Sequence, residues 1–489
     1  MKRRYFKLLL WVTAMAALMV NSFTQDRLNR QRADLNLTRM APLENAPPIL
    51  AFTTVALGGF RGIIVNFLWI RANQLQLEGK YFETLTLGDW ITKLQPTFAP
   101  VWTYHAWNMA YNISRTFQDP AERWNWVKAG YELLRDDGIR YNPTHADMYR
   151  ELAWIYYDKI GRFGEEEHFA YKRFFGMDMA RFFPNGRPPI ELFLNPQTEG
   201  QREAVRVLKE QYKLDPEWIK YIDEQWGPLD WRLPETHAIY WADLGRKRAK
   251  EGDQLVLHRA LWQSMQLAFQ RGRIVVNPVD GEVHFSPNID IIPKVSATYE
   301  EIQKLMPEKK EYVGRGHKNF LSDAIYNLYL HNRPADAAKW YEYLRKRYPE
   351  ADWVELSLDD YVNQRITDEV DGGKVFKIKA IVEGFIEKYY MYRAIGEDEQ
   401  AEGHSHVAKL IYDKYQDKLV PGQLDSQALP PFRDMQVAKL TEALSGKGSY
   451  SPELSERLRL RFGLSKDWKK ELNLLAEEKV KPGTPVEKK

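Results

Sequence analysis

The chain has no cysteine in 489 residues. Disulfides, thiolate zinc sites, iron–sulfur clusters and cysteine nucleophiles are therefore excluded, and the absence suits an oxidising compartment where a stray thiol is a hazard. Strong net charge is missing too: 70 basic residues stand against 67 acidic ones, leaving +3. A protein that holds nucleic acid on a basic face needs more, so no nucleic-acid partner is expected. There is no Walker loop, no Gly-x-Ser-x-Gly and no His-Glu-x-x-His, so the common nucleotide, hydrolase and zinc-protease signatures are missing. No catalytic, cofactor-binding or metal-ligating residue is assigned, and no cofactor is expected.

The nearest approach to a metal motif is His404 and His406 in "GHSHVAK". That spacing suits a strand, whereas the flanking sequence reads as a helix or the loop before one, so solvent-exposed histidines are the simpler reading. Glu165, Glu166 and Glu167 read as a solvated face, and Asp359 and Asp360 as a loop. Carboxylates that meet only in three dimensions leave no local motif, so acid/base chemistry stays open.

What the chain has in quantity is apolar and aromatic surface: 44% of residues are hydrophobic and 13% are Phe, Trp or Tyr. That is enough for a substantial core. The N-terminus, "MKRRYFKLLLWVTAMAALMVNSF", places Lys2, Arg3 and Arg4 before an apolar run from Leu8 to Val20. This pattern is an export or anchoring signal whose basic end stays in the cytoplasm. The run is short for a span of roughly 20 residues, as a cleaved signal would be. Tyr5 and Phe6 lengthen it and no Ala-x-Ala follows, as an anchor would require. Either way the body is expected outside the cytoplasm. A second apolar stretch, Pro47 to Ala72, is interrupted by Gly58, Gly59 and Arg61. Because an arginine in mid-membrane costs roughly 2.5 kcal/mol or more, buried helices are expected there rather than a second span.

Aromatics crowd into "WITKLQPTFAPVWTYHAWNMAYNIS" from Trp90, and the spacing around them repeats. Ala72 and Leu75 share one helix face, Gly79 and Tyr81 mark a turn, Ile91 lies on a second helix and Pro96 follows. Trp102, Ala106 and Met109 take the equivalent places in the next unit. Tyr149, Leu152, Ala153 and Tyr156 recur at i, i+3, i+4, i+7 after Pro143, and a partner helix carries Ala170 and Phe174. The distance from Pro96 to Pro143 exceeds one unit, and Arg115 to Arg123 is the expected place for the extra residues. Farther on, Leu321, Ile325 and Leu328 precede Ala337, Tyr341, Leu344 and Pro349, with weaker echoes from His237 and from Gly384.

These positions resemble the tetratricopeptide repeat, a 34-residue helix–turn–helix unit with small residues where helices touch and a closing proline. The resemblance touches about half the chain. It implies a mainly α fold: an α-solenoid of degenerate helical hairpins with a hydrophobic N-terminal segment. The aromatics would then fill seams between stacked helices, since one hairpin cannot bury its apolar face alone. One β signal intrudes. Val275 and Val276, an Asp280-Gly281 turn, and Val283 and Phe285 predict an inserted β-hairpin.

The expected organisation begins with residues 1–22 as signal-anchor or signal peptide, 23–46 as polar linker and 47–183 as helical repeats. Residues 184–235 form a proline- and glycine-rich connection with helices, and 236–300 a helical hairpin plus the β-hairpin. Residues 301–420 return to helical repeats, 421–472 form short helices and 473–489 a disordered tail. As a whole the chain is similar to membrane-anchored, tetratricopeptide-containing proteins of Gram-negative bacteria. That likeness implies a non-enzymatic scaffold at the cytoplasmic membrane, its body in the periplasm or outside the cell, binding envelope proteins or peptides through a concave surface. The alternative is an exported all-α enzyme acting on glycan or another envelope polymer, with Trp226, Trp231 and Trp241 as stacking platforms.

Overall fold

The computed structural model describes short helical pieces between residues 13 and 31, then residues 61–162, 164–279, 283–350, 352–367, 375–419, 428–446 and 450–477. The N-terminal apolar run lies largely outside the described residues, as do residues 47–60 and the Asp280-Gly281 turn. Among the described residues no helix is long and apolar enough to cross a membrane. Among the described residues the chain is mainly helical with one small antiparallel sheet, and it divides into two units.

The first unit comprises residues 1–222 and 231–264. Its helices come in pairs. Helix α1 (Arg61–Leu77) turns through Gly79, at φ +73°, into α2 (Tyr81–Leu94). A left-handed φ favours glycine, which has no Cβ to clash. Ala72, Leu75 and Ile91 are buried between the two helices, as the spacing predicts. Helix α3 (Ala99–Trp107) pairs with α4 (Pro120–Glu132), whose start is fixed twice: Asp119 accepts from the Glu122 amide and Pro120 pre-sets φ at the first helical position. At Gly130 an added Cβ would stand 2.8 Å from the Ala106 carbonyl oxygen, so the two backbones meet through small residues. Helix α5 (Ala146–Trp154) buries Tyr149, Leu152 and Ala153, with Tyr156 buried just beyond it, while α6 (His168–Ala180) packs on α4 and on the turn that follows α5. On α6 the buried face is Tyr171, Phe175 and Met179, one residue on from the expected Ala170 and Phe174.

The residues in excess of one repeat are not looped out at Arg115 to Arg123. They lengthen the helices: α3 runs on through a π-helical turn at Asn108–Ile113, and α4 through another at Leu133–Gly138 and the helical turn Ile139–Tyr141. A third π-turn, Ile155–Gly161, extends α5. Such i→i+5 turns shift the side-chain register, are rare and often mark functional positions.

The connection after α6 carries α7 (Ile190–Leu194), α8 (Glu199–Glu210) with a Thr198/Gln201 capping box, and α9 (Pro216–Trp226) capped by Asp215. Then α10 (Pro234–Arg248) packs on α5: at Gly245 a Cβ would lie 2.6 Å from the Tyr149 Cβ. Helix α11 (Leu255–Arg271) follows.

The second unit holds residues 223–230 and 265–489. Strands β1 (Arg273–Val276) and β2 (Val283–Ser286) pair antiparallel with Val276 opposite Val283, which is the expected hairpin. A lone hairpin is marginal in water, and here it is tied down by Arg273 to Glu397 at 2.6 Å. Helices α12 (Ile292–Leu305), α13 (Lys310–Leu330) and α14 (Pro334–Arg347) follow. Leu321, Ile325 and Leu328 on α13 and Ala337, Tyr341 and Leu344 on α14 are all buried. Next come α15 (Leu358–Thr367), α16 (Val375–Ile395) and α17 (Asp398–Gln416). Helices α18 (Phe432–Leu444), α19 (Pro452–Arg461) and α20 (Trp468–Glu477) complete the unit, the last reaching into the stretch expected to be disordered.

Candidate functional site

The dense aromatics serve mainly as packing. Trp102 is buried, donates from Nε1 to the Pro96 carbonyl at 2.7 Å, and stacks on Tyr141. Asn142 donates to the same carbonyl at 3.0 Å, so the ends of two hairpins meet on one acceptor. Trp90 is half-buried, and Trp107 is partly exposed and stacked on Tyr111. The three tryptophans expected as glycan platforms are buried. In the first unit Trp231 packs on Phe183 with ring centres 5.5 Å apart and Trp241 is 3% exposed; in the second unit Trp226 is 7% exposed. Rings so enclosed cannot stack on a ligand without opening the core.

His404 and His406 lie inside α17 and do not share a face, since residues two apart on a helix point nearly opposite ways. His404 is buried rather than exposed: Nδ1 bonds the Gln400 carbonyl at 2.7 Å, and burial pushes its pKa down to about 4. His406 meets the Tyr329 hydroxyl, which also donates to Asp359 at 2.6 Å. Asp359 and Asp360 belong to the first turn of α15 rather than a loop, and Asp360 pairs with Lys414 at 2.7 Å. Acids there suit the positive end of the helix dipole. No group of three potential metal-ligating side chains occurs among the described residues.

Glu165 departs most from its expected solvated face. Its side chain is 6% exposed and accepts from Lys159 Nζ at 2.6 Å, while Arg115 and Arg123 stand 3.8 Å away. Lys159 lies on the third π-turn, wholly buried, its ammonium over the rings of Tyr111 and Tyr171. Burial lowers its pKa despite the neighbouring carboxylate. Tyr111, from the first π-turn, donates to Asp158 at 3.1 Å. A buried ion pair with this much support fixes one packing arrangement, since losing either partner strands a charge in low dielectric.

The second π-turn borders a cavity of about 380 Å³ in the first unit. Its inner wall is Ile139, Leu214, Tyr240, Trp241 and Leu244, all buried, and its mouth carries Arg140, Lys209, Lys213 and Arg248, all exposed. Arg135 and Asp136 cancel one another through two bonds of 2.8 Å. The other lining carboxylate, Asp215, accepts from the Glu217 amide as helix cap, and the Asp215 amide donates to the Tyr240 hydroxyl. Asp137 stands nearby, its pKa raised by burial and by Asp136 against the pull of Arg140 and Lys213. Of the mouth cations, Lys213 donates from Nζ to the Glu210 carbonyl at 2.6 Å and Arg140 lies over the Tyr141 ring. The indole N–H of Trp241 is buried and has no hydrogen-bond partner among the described residues. Cations arriving from the end of α4, the end of α8 and the end of α10 leave no motif in sequence, which is why this cavity was illegible.

Comparison with protein-family models, curated proteins and solved structures gave no match to this chain.

Proposed function

We propose that the chain is a non-enzymatic, helical-repeat scaffold of a bacterial cell envelope, an α-solenoid of degenerate tetratricopeptide-like hairpins that binds envelope proteins or peptides. The observation that carries the reading is the succession α1/α2 and α3/α4, each pair followed by a proline (Pro96, Pro143), with Ala72 and Ala106 fully buried at the seams and Gly130 in backbone contact with its partner helix. Stacked hairpins build extended surfaces, which serve protein and peptide binding more often than catalysis.

In this reading the basic N-terminal segment holds the chain at the cytoplasmic membrane, or directs its export, with the body outside the cytoplasm. The outward face of α1 supports a position near the bilayer. Ile63, Phe67 and Ile70 are each more than 60% exposed and Leu77 is 90% exposed, a heptad-spaced apolar stripe unusual on a water-facing helix.

The test is crosslinking in cells, gentle detergent extraction and mass spectrometry of what copurifies with the C-terminally tagged chain. The reading expects a reproducible set of envelope proteins, diminished by charge-reversal at exposed hairpin positions that leave the fold intact. A chain recovered intact and alone contradicts it.

A further inference from the structure

The cavity beneath α10 has features a scaffold does not require, and the inference drawn from it stands apart from the scaffold reading. Four cations, Arg140, Lys209, Lys213 and Arg248, converge on one opening from three separate segments. Like charges repel, and the carboxylates at hand, Asp136, Asp137 and Asp215, are fewer than the cations Arg135, Arg140, Lys209, Lys213 and Arg248, so a bound anion would relieve the excess of positive charge. The two acids in the lining are already engaged, Asp136 by Arg135 and Asp215 by the start of α9.

The ligand's chemistry follows from charge and shape. A single carboxylate would leave most of the mouth charge uncompensated. Two guanidinium groups are suited to paired anionic oxygens, and lysines are suited to further phosphate oxygens. The volume of about 380 Å³ exceeds what a bare phosphate fills and lies within the range of small-molecule sites. The wall of Ile139, Leu214 and Leu244 is apolar. We propose that this cavity binds a substituted diphosphate, its phosphates at the basic mouth and its organic group toward the apolar wall.

The test is isothermal titration calorimetry of the full chain with inorganic pyrophosphate, inorganic phosphate and citrate as probes. Pyrophosphate should bind roughly tenfold tighter than phosphate or citrate, with an affinity that falls as salt rises. Lys209→Glu with Lys213→Glu should weaken it by roughly tenfold or more. Both lysines are exposed, so the fold is retained, and Arg248→Ala gives an independent second variant with the same expected direction. Adenosine diphosphate and geranyl diphosphate separate a nucleotide from a lipid-borne source, and one of them should bind tighter than pyrophosphate. No binding of pyrophosphate at about 1 mM, or binding that neither variant alters, overturns the site. If neither substituted diphosphate exceeds pyrophosphate, the assignment of the apolar wall is wrong.

Discussion

Helix α17 crosses the end of α13 at Gly403, and there the close approach is tightest. A Cβ at that position would lie 1.9 Å from the Leu330 carbonyl oxygen, 2.3 Å from its carbonyl carbon and 2.7 Å from the Asn332 nitrogen. The obstacles are all backbone, so no rotamer change relieves them. Restoring ordinary contact requires the helices to part by roughly 1.5 Å. Overpacking of this kind costs up to about 3 kcal/mol. Gly→Ala inside a helix otherwise returns about 1 kcal/mol in propensity. Gly403→Ala is therefore expected to destabilise by about 2 kcal/mol, the sum of those opposed effects.

Gly384 in α16 is the control, because nothing lies within 4 Å of its added Cβ. Gly384→Ala should stabilise by about 0.5–1 kcal/mol through propensity alone. Since the chain divides into two units, a single global transition is not assumed. The readout is hydrogen exchange in α13 and α17, followed by mass spectrometry across a urea series. The midpoint for Gly403→Ala should fall by roughly 1 M while that for Gly384→Ala rises. A Gly403→Ala chain at least as protected as Gly384→Ala would refute the account of small residues at helix crossings.

Other consequences are testable on the same protein. His105, His237, His317 and His404 each have a pKa lowered to about 4, first by burial. Between about pH 6.5 and 4 the unfolded chain binds protons that the folded chain does not, so stability falls as pH falls through that window and levels off below it. Each group contributes up to about 3 kcal/mol; His237→Phe should flatten the first unit's slope by about one proton, and an unchanged slope would remove His237 from the explanation. Lys159→Met should cost about 3–5 kcal/mol by stranding Glu165, whereas Lys159→Met with Glu165→Leu should cost less than the single change; additive losses in urea midpoints would show that the pair is not coupled. Phe67→Ser with Ile70→Ser should leave stability within about 0.5 kcal/mol yet reduce cosedimentation of residues 23–489 with anionic vesicles, and unchanged sedimentation would count against α1 facing a bilayer.

Much of the helix pairing was legible because burial imposes a 3.6-residue period. Tyr149, Leu152, Ala153 and Tyr156 announced α5, and Ala337, Tyr341 and Leu344 announced α14. Local chemistry fixes helix starts as well: Ser451 accepts from the Leu454 amide and Pro452 opens α19. The β-hairpin was readable from the Asp280-Gly281 pair together with the alternation around it. The π-turns were not, because an i→i+5 turn has no compositional mark; only the long interval from Pro96 to Pro143 hinted at extra residues. On α6 the buried face runs through Tyr171 and Phe175 rather than Ala170 and Phe174. Glu165 was misread because three successive glutamates look solvated, while the buried ammonium that neutralises one of them sits on the preceding turn at Lys159. The basic cavity was invisible for a different reason: its cations come from separate segments, and an overall charge of +3 hides a local concentration.

The scaffold reading makes its sharpest claim about where partners touch. A photoactivatable side chain placed singly at exposed positions along α1 to α6, in the full-length chain in its own cells, measures this directly. Crosslinks to the same few envelope proteins, clustered on one face of successive hairpins, are the result expected. Crosslinks absent from every position, or scattered without regard to face, would contradict a scaffold built from stacked hairpins.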